Sequence, residues 1–242
     1  MDMLAPKDEK DYDKIMRDSA ALSPAQCTSA REAHIIGKAY EMHGAFSSSI
    51  PWYVQSFLLE PSDERFGMIA GVCLAAGNYE TLQEYLALPQ ADTEGYYYNA
   101  ARYELAFRTG ASDEEQIAAL ERFLDIQYEA SYMLRLTSLY LEAGRDKDAE
   151  RLCKKVMRLF PDHTQASSYA SDLRTAIKAG TGLEAVRQNP WVKDDVFMHL
   201  TFDLSKPVPA GNASAPAPEK TADPPKKDKK PKIAPLILTP WL

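Results

Sequence analysis

Apolar residues along this chain recur mostly at intervals of three and four. Between Ala130 and Pro161 they fall at Met133, Leu136, Leu139 and Tyr140, then at Ala149, Leu152, Cys153, Val156 and Leu159. That spacing predicts two amphipathic helices. Gly144 separates them, as a residue that adopts positive φ freely at a helix end, and Pro161 closes the second. A helical hairpin follows from two such helices joined by a tight turn. The same reading predicts a short helix over 11–22, with Tyr12, Ile15 and Met16 on its apolar side. A helix is then expected from Pro24 to about His43, because Ser23-Pro24 pairs a cap with a proline at the first helical position. Further helices are expected near 47–59, with Pro51 in the first turn, and near 64–76 and 79–88. Another opens at Tyr96. The next starts at about Asp113, where Ser112 and Glu115 form a capping-box pattern. Ile117, Leu120, Phe123 and Leu124 are its core stripe. A helix over 164–178 carries Tyr169, Leu173 and Ile177 on one side and polar residues on the other, as suits the covering end of a stack. No stretch alternates in the manner of a strand, so the predicted class is all-α.

The hairpin landmarks repeat. Gly44, Gly77, Gly110 and Gly144 are spaced 33, 33 and 34 residues apart, and Tyr40, Gly44 and Pro61 precede Tyr140, Gly144 and Pro161 by 100 residues. A period near 34, with helical patterns on both sides of each glycine, resembles the tetratricopeptide repeat. The small residue that this family places seven positions before the turn glycine is present as Gly37 and Ala70 and is replaced by Tyr103 and Thr137. The resemblance spans about Pro24 to Pro161. It implies a right-handed superhelix of four hairpins over residues 24–163, with residues 1–23 as an N-terminal extension and 164–204 as capping helices. The tyrosine four residues before the glycine is expected between the helices of its own hairpin.

The resemblance also implies a groove lined by the first helix of each hairpin. Counting back 13, 10, 6 and 3 from each glycine gives Arg31, His34, Lys38 and Glu41, then Glu64, Gly67, Gly71 and Leu74. The later positions are Tyr97, Ala100, Glu104 and Phe107, then Ser131, Leu134, Ser138 and Leu141. Some of these are expected to pack helix against helix instead of facing a ligand. The paired lysines and asparagines of the family's carboxylate-clamp version are not matched, so an acidic chaperone tail is not the expected ligand.

Composition narrows the function classes. The chain of 242 residues is 45% hydrophobic with a net charge of −7, enough for one repeat domain with tails. Cys27, Cys73 and Cys153 form no CxxC or metal spacing, and an odd, scattered set suits a reducing compartment, hence a cytoplasmic location. The acidic start MDMLAPKDEK is not a signal peptide, and no apolar run approaches the length of a membrane span. His34, His43, His163 and His199 sit in no catalytic or ligand motif, and Gly180-Thr181-Gly182 reads as a helix stop. No cofactor, metal or small-molecule substrate is expected, and no catalytic residue is assigned.

From Ser205 to about Pro235 the composition turns to Pro, Ala and Lys, which predicts an extended, disordered linker. Seven lysines against three acids give that stretch +4, so with −7 overall the remainder carries −11. Lys226–Lys232 resembles a localisation or nucleic-acid patch, but without interleaved aromatics it reads better as a solvated spacer, and nucleic acid is not the expected partner. Residues 236–242 turn apolar again, with Leu236, Ile237, Leu238, Trp241 and Leu242. They read as a tethered docking peptide. The expected function is a non-catalytic adaptor, scaffold or assembly chaperone that binds one or more proteins. A permanent structural subunit of a larger complex is the alternative.

Overall fold

A computed structural model describes residues 9–191, and among them there are eleven α-helices and no strand. They are α1 (Glu9–Ser19), α2 (Ala30–Met42), α3 (Phe46–Leu59), α4 (Asp63–Ala76), α5 (Tyr79–Leu86) and α6 (Tyr96–Arg108). After them come α7 (Asp113–Ile126), α8 (Ala130–Glu142), α9 (Asp146–Leu159), α10 (Thr164–Lys178) and α11 (Gly182–Gln188). The all-α class is thus observed. Helices α2 to α9 form four hairpins that pack in sequence, each element mainly against the next. Helix α4 also reaches past the short α5 to pack on α6, and α11 folds back onto α8.

One turn closes every hairpin. Gly44, Gly77, Gly110 and Gly144 have φ of 69°, 67°, 68° and 69°. The amide after each glycine donates to a carbonyl of the last helical turn: Ala45 to Tyr40 at 2.9 Å, Asn78 to Cys73 at 2.8 Å, Ala111 to Ala106 at 2.9 Å and Arg145 to Tyr140 at 2.7 Å. These are the bonds that satisfy orphan helix-end carbonyls when the residue after the helix is left-handed. The 33–34-residue spacing is therefore a repeat of one backbone conformation. A fifth copy follows α10, where Gly180 has φ 78° and Thr181 donates to Ala176 at 2.9 Å. So Gly180 does more than stop a helix: it turns the chain into α11, and α10 and α11 make a further hairpin.

Two expected helix details are corrected. Pro24 starts only a single 3₁₀ turn over Pro24–Gln26, and α2 begins at Ala30. Its cap is Ser29, whose hydroxyl accepts from the Glu32 amide at 3.2 Å. Pro51 lies inside α3, not in its first turn. It gives no amide to the preceding turn, but it sits on the exposed side of the helix. Ser112 caps α7 as predicted, with the reciprocal Ser112–Glu115 bonds in place.

The core has two principal parts. The first gathers Ile50, Tyr53, Phe57, Phe66, Ile69, Cys73 and Leu82, and the second Leu120, Phe123, Tyr132, Met133, Cys153, Val156 and Leu173. Helix α6 belongs to both: Tyr98 and Ala101 join the first, Ala100 and Tyr103 the second. A smaller cluster of Ala33, Ile36 and Trp52 is covered by Ile15 of α1, the helix that closes the N-terminal end.

Tyr140 is buried, but its hydroxyl leaves its own hairpin and donates to Glu121 of α7 at 2.6 Å, with the Arg145 guanidinium 4.2 Å from the ring centroid. Its counterpart Tyr40 is half-buried at the edge of the small cluster. Tyr140→Ala is expected to cost roughly 3–5 kcal/mol, in the range for truncating a buried aromatic. Tyr40→Ala should cost clearly less, and urea denaturation of the two variants checks the order. At the other end, Trp191 packs on Tyr169 at 5.2 Å between centroids. The remainder of the expected packed segment, with Val192, Val196, Met198, Leu200 and Phe202, lies outside the described residues. So do the linker over 205–235 and the docking peptide of Leu236, Ile237, Leu238, Trp241 and Leu242.

Candidate binding surface on the first helices of the hairpins

The sixteen inward positions divide into packed and open ones. On α2, Arg31 is exposed, whereas His34 and Lys38 are buried. Lys38 Nζ lies 2.8 Å from Glu41 Oε1, and Tyr53 donates its hydroxyl to the other oxygen of that carboxylate. His34 lies 5.3 Å from the Tyr53 ring. Burial, then the positive charges of Arg65 and Lys38, lower its pKa to about 3, so the imidazole is neutral. Arg65 is itself buried and held by Glu60, through the carbonyl at 3.0 Å and the carboxylate at 2.6 Å. The charged opening quarter expected of the groove is thus largely an internal polar network. Its charges are paired, as buried charges must be.

The second hairpin offers Glu64 exposed, Gly71 half-buried and Leu74 buried. Gly67 is needed for close approach, since a Cβ there would sit 2.7 Å from Cγ of Tyr97. The half-buried Tyr97 ring lies where a side chain from α4 would otherwise be. A residue outside the inward set fixes this junction. The Asp63 carboxylate accepts from the amides of Tyr97 at 2.8 Å and Tyr98 at 3.1 Å, capping α6 from the start of α4. Burial, opposed by these two amide bonds and reinforced by Glu64 and Asp92, pushes the Asp63 pKa up to about 6.

A carboxyl whose pKa rises on folding stabilises the fold most when protonated, and loses that contribution as pH rises through the folded value. Stability should therefore fall between about pH 4 and 6 relative to Asp63→Asn, which cannot ionise. Denaturant titrations of both proteins across that window check the sign.

On α6 and α8 the pattern changes. Ala100, Leu134, Ser138 and Leu141 are buried, Ser131 is half-buried, and Glu104 is fully buried. Tyr132 donates to Glu104 Oε1 at 3.1 Å, and Arg108 Nε lies 3.7 Å from Oε2. Above this pair Phe107 is 41% exposed. Its ring stacks on Tyr103 at 6.2 Å, and the Arg135 guanidinium lies 4.9 Å from its centroid. Arg135 lies nine positions before Gly144, one step off the inward count, which is why the pattern missed it. An exposed ring flanked by an oriented guanidinium can take an apolar side chain and, beside it, a hydrogen-bond acceptor. Aromatic and arginine side chains are the residues most often decisive at interfaces.

Little else among the described residues has chemistry. No group of three or more His, Cys, Asp or Glu is placed to hold a metal ion. All three cysteines are free thiols, and burial raises the pKa of Cys73 and Cys153 to about 12, which keeps them protonated and unreactive. No helix there is long and apolar enough to cross a membrane. In comparisons with known proteins, no family model matches the chain and no curated protein matches it.

Proposed function

We propose that this chain is a non-catalytic protein–protein interaction module of the tetratricopeptide kind, an adaptor, scaffold or assembly chaperone, that holds a peptide or helix of a partner protein over α6 and α8. The observation that carries this reading is Phe107. Large aromatics at inward positions would be expected to bury themselves, yet this ring stays open while its surroundings are fixed by Tyr103 and Arg135. The packed positions around it, from Glu104 to Leu134, give the ring a rigid base, which lowers the ordering cost of binding.

The experiment is site-specific photo-crosslinking in cells of the source organism. A photoreactive phenylalanine at position 107 should give one discrete protein adduct, and the same probe at Ala118, exposed on α7, should not. Equal or diffuse labelling from both positions would sink the proposal.

A permanent subunit is the second reading. Leu58, Leu59, Ile126 and Tyr128, exposed near the ends of α3 and α7, favour it. A subunit would fractionate wholly within a complex, whereas an adaptor would also be found free.

A further inference from the structure

The open ring has an acidic neighbour. The tight turn at Gly110 leads from Phe107 and Arg108 to Asp113, Glu114 and Glu115, all exposed at the start of α7. Helices α6 and α7 pack on each other with axes about 10 Å apart, so the acids open the helix next to the one that carries the ring. The acidic side is that of α3 to α7: residues 46–130 hold fourteen acids against four arginines, whereas residues 131–191, which include α8, hold seven acids against ten basic residues.

The chain itself carries a complementary segment. Lys226, Lys227, Lys229, Lys230 and Lys232 are followed at once by Leu236, Ile237, Leu238, Trp241 and Leu242. A basic run beside an apolar run matches an acidic edge beside an apolar ring. The inward leucines of α8, Leu134 and Leu141, are buried. Phe107 is the inward apolar residue whose ring is exposed, at 41%.

Reach is sufficient. The 21 residues from 205 to 225 would span about 25 Å as a coil by square-root scaling. Two helix layers, from α10 past α8 to α6, amount to about 20 Å. A tether of that kind holds its end at an effective concentration on the order of a millimolar. Even a contact with a dissociation constant near 100 μM would then be about nine-tenths occupied, and binding within one chain would outcompete binding between chains.

We propose that residues 226–242 of this chain occupy its own α6–α8 surface, with Trp241 and its apolar neighbours on Phe107 and the lysines over Asp113, Glu114 and Glu115. The segment is then an internal competitor that a partner must displace. This rests on the reading of Phe107 as a binding position.

The test uses the full chain with a photoreactive residue in place of Thr239. The expected product is an intramolecular cross-link to residues 96–142, with a yield independent of protein concentration and lower in high salt. Phe107→Ala, with a roughly tenfold loss of affinity for a lost hot-spot contact, should roughly halve it. Glu114→Gln, at an exposed position outside the Ser112–Glu115 capping box, should also reduce it, with the helical content checked by circular dichroism. Cross-linked dimers would overturn the proposal in favour of a second copy, and cross-links scattered over the surface would overturn it outright. Partner capture at position 107 without any internal cross-link would sink this inference and leave the proposed function standing. An internal cross-link without partner capture at position 107, even when Trp241→Ala weakens the internal competitor, would do the reverse.

Discussion

Replacing Tyr132 with alanine is expected to destabilise the protein by roughly 3–5 kcal/mol, as for other fully buried aromatics. Tyr132 is 1% exposed, lies 4.9 Å from the Phe123 ring and 5.7 Å from Tyr103, and donates to a carboxylate, Glu104, that is 0% exposed. Truncation would leave both a cavity and a poorly solvated charge. Tyr132→Phe separates the two effects: it keeps the ring and removes only the hydroxyl, at an expected cost of about 1–3 kcal/mol for weakening a buried polar pair. Urea denaturation of the two variants is the measurement. If the phenylalanine variant matched the parent protein, Glu104 would not depend on Tyr132, and the polar base under Phe107 would need another explanation.

The second large effect is expected at Gly95. A Cβ there would fall 2.1 Å from Oδ1 of Asp63 and 2.9 Å from the carbonyl oxygen of Asp92. Neither can simply rotate away, because Asp63 is bonded to the Tyr97 and Tyr98 amides and the Asp92 atom is backbone. Gly95→Ala should therefore combine overpacking with loss of a helix cap, on the order of 3 kcal/mol together. A double-mutant cycle with Asp63→Ala gives the partition. If the clash with Asp63 dominates, the second substitution costs less in the alanine background than in the parent. Strict additivity would show that the Asp92 backbone is the obstacle.

How much of this was legible in the sequence depended on range. The four turn glycines were legible because a left-handed residue after a helix strongly favours glycine, and their common conformation is what the spacing records. Ser112 and Glu115 announced a helix start because a capping box is contained in four residues. Ser29 and Glu32 have the same spacing, but Pro24 gave a competing signal upstream. Gly180 stands 36 residues after Gly144, out of step with the other intervals, so the fifth turn did not join the series.

The candidate surface was less legible than the fold. Helical periodicity tells which side of a helix faces inward, not how near the next helix comes. Gly67 and the Tyr97 ring set that approach between α4 and α6, and they are 30 positions apart in the chain. His34, Lys38 and Glu104 read as groove residues because they are polar. They are buried because Tyr53, Arg65, Tyr132 and Arg108 supply their surroundings, and only Arg108 is a near neighbour in sequence. Phe107 was legible as an inward position. Arg135 was not, since its role comes from leaning over a ring on a different helix.

The double allegiance of α6 has a thermodynamic consequence. In a stack whose elements touch mainly their neighbours, stability passes from one unit to the next through shared interfaces. Here one helix is a wall of both principal cores, so neither can open without disturbing it. Anything that steadies α6 from Phe107 must also slow the opening of residues that it never touches. Occupancy of that one ring would then be readable some distance away, as slower amide hydrogen exchange at Phe66, Ile69 and Cys73 in the far half of the molecule.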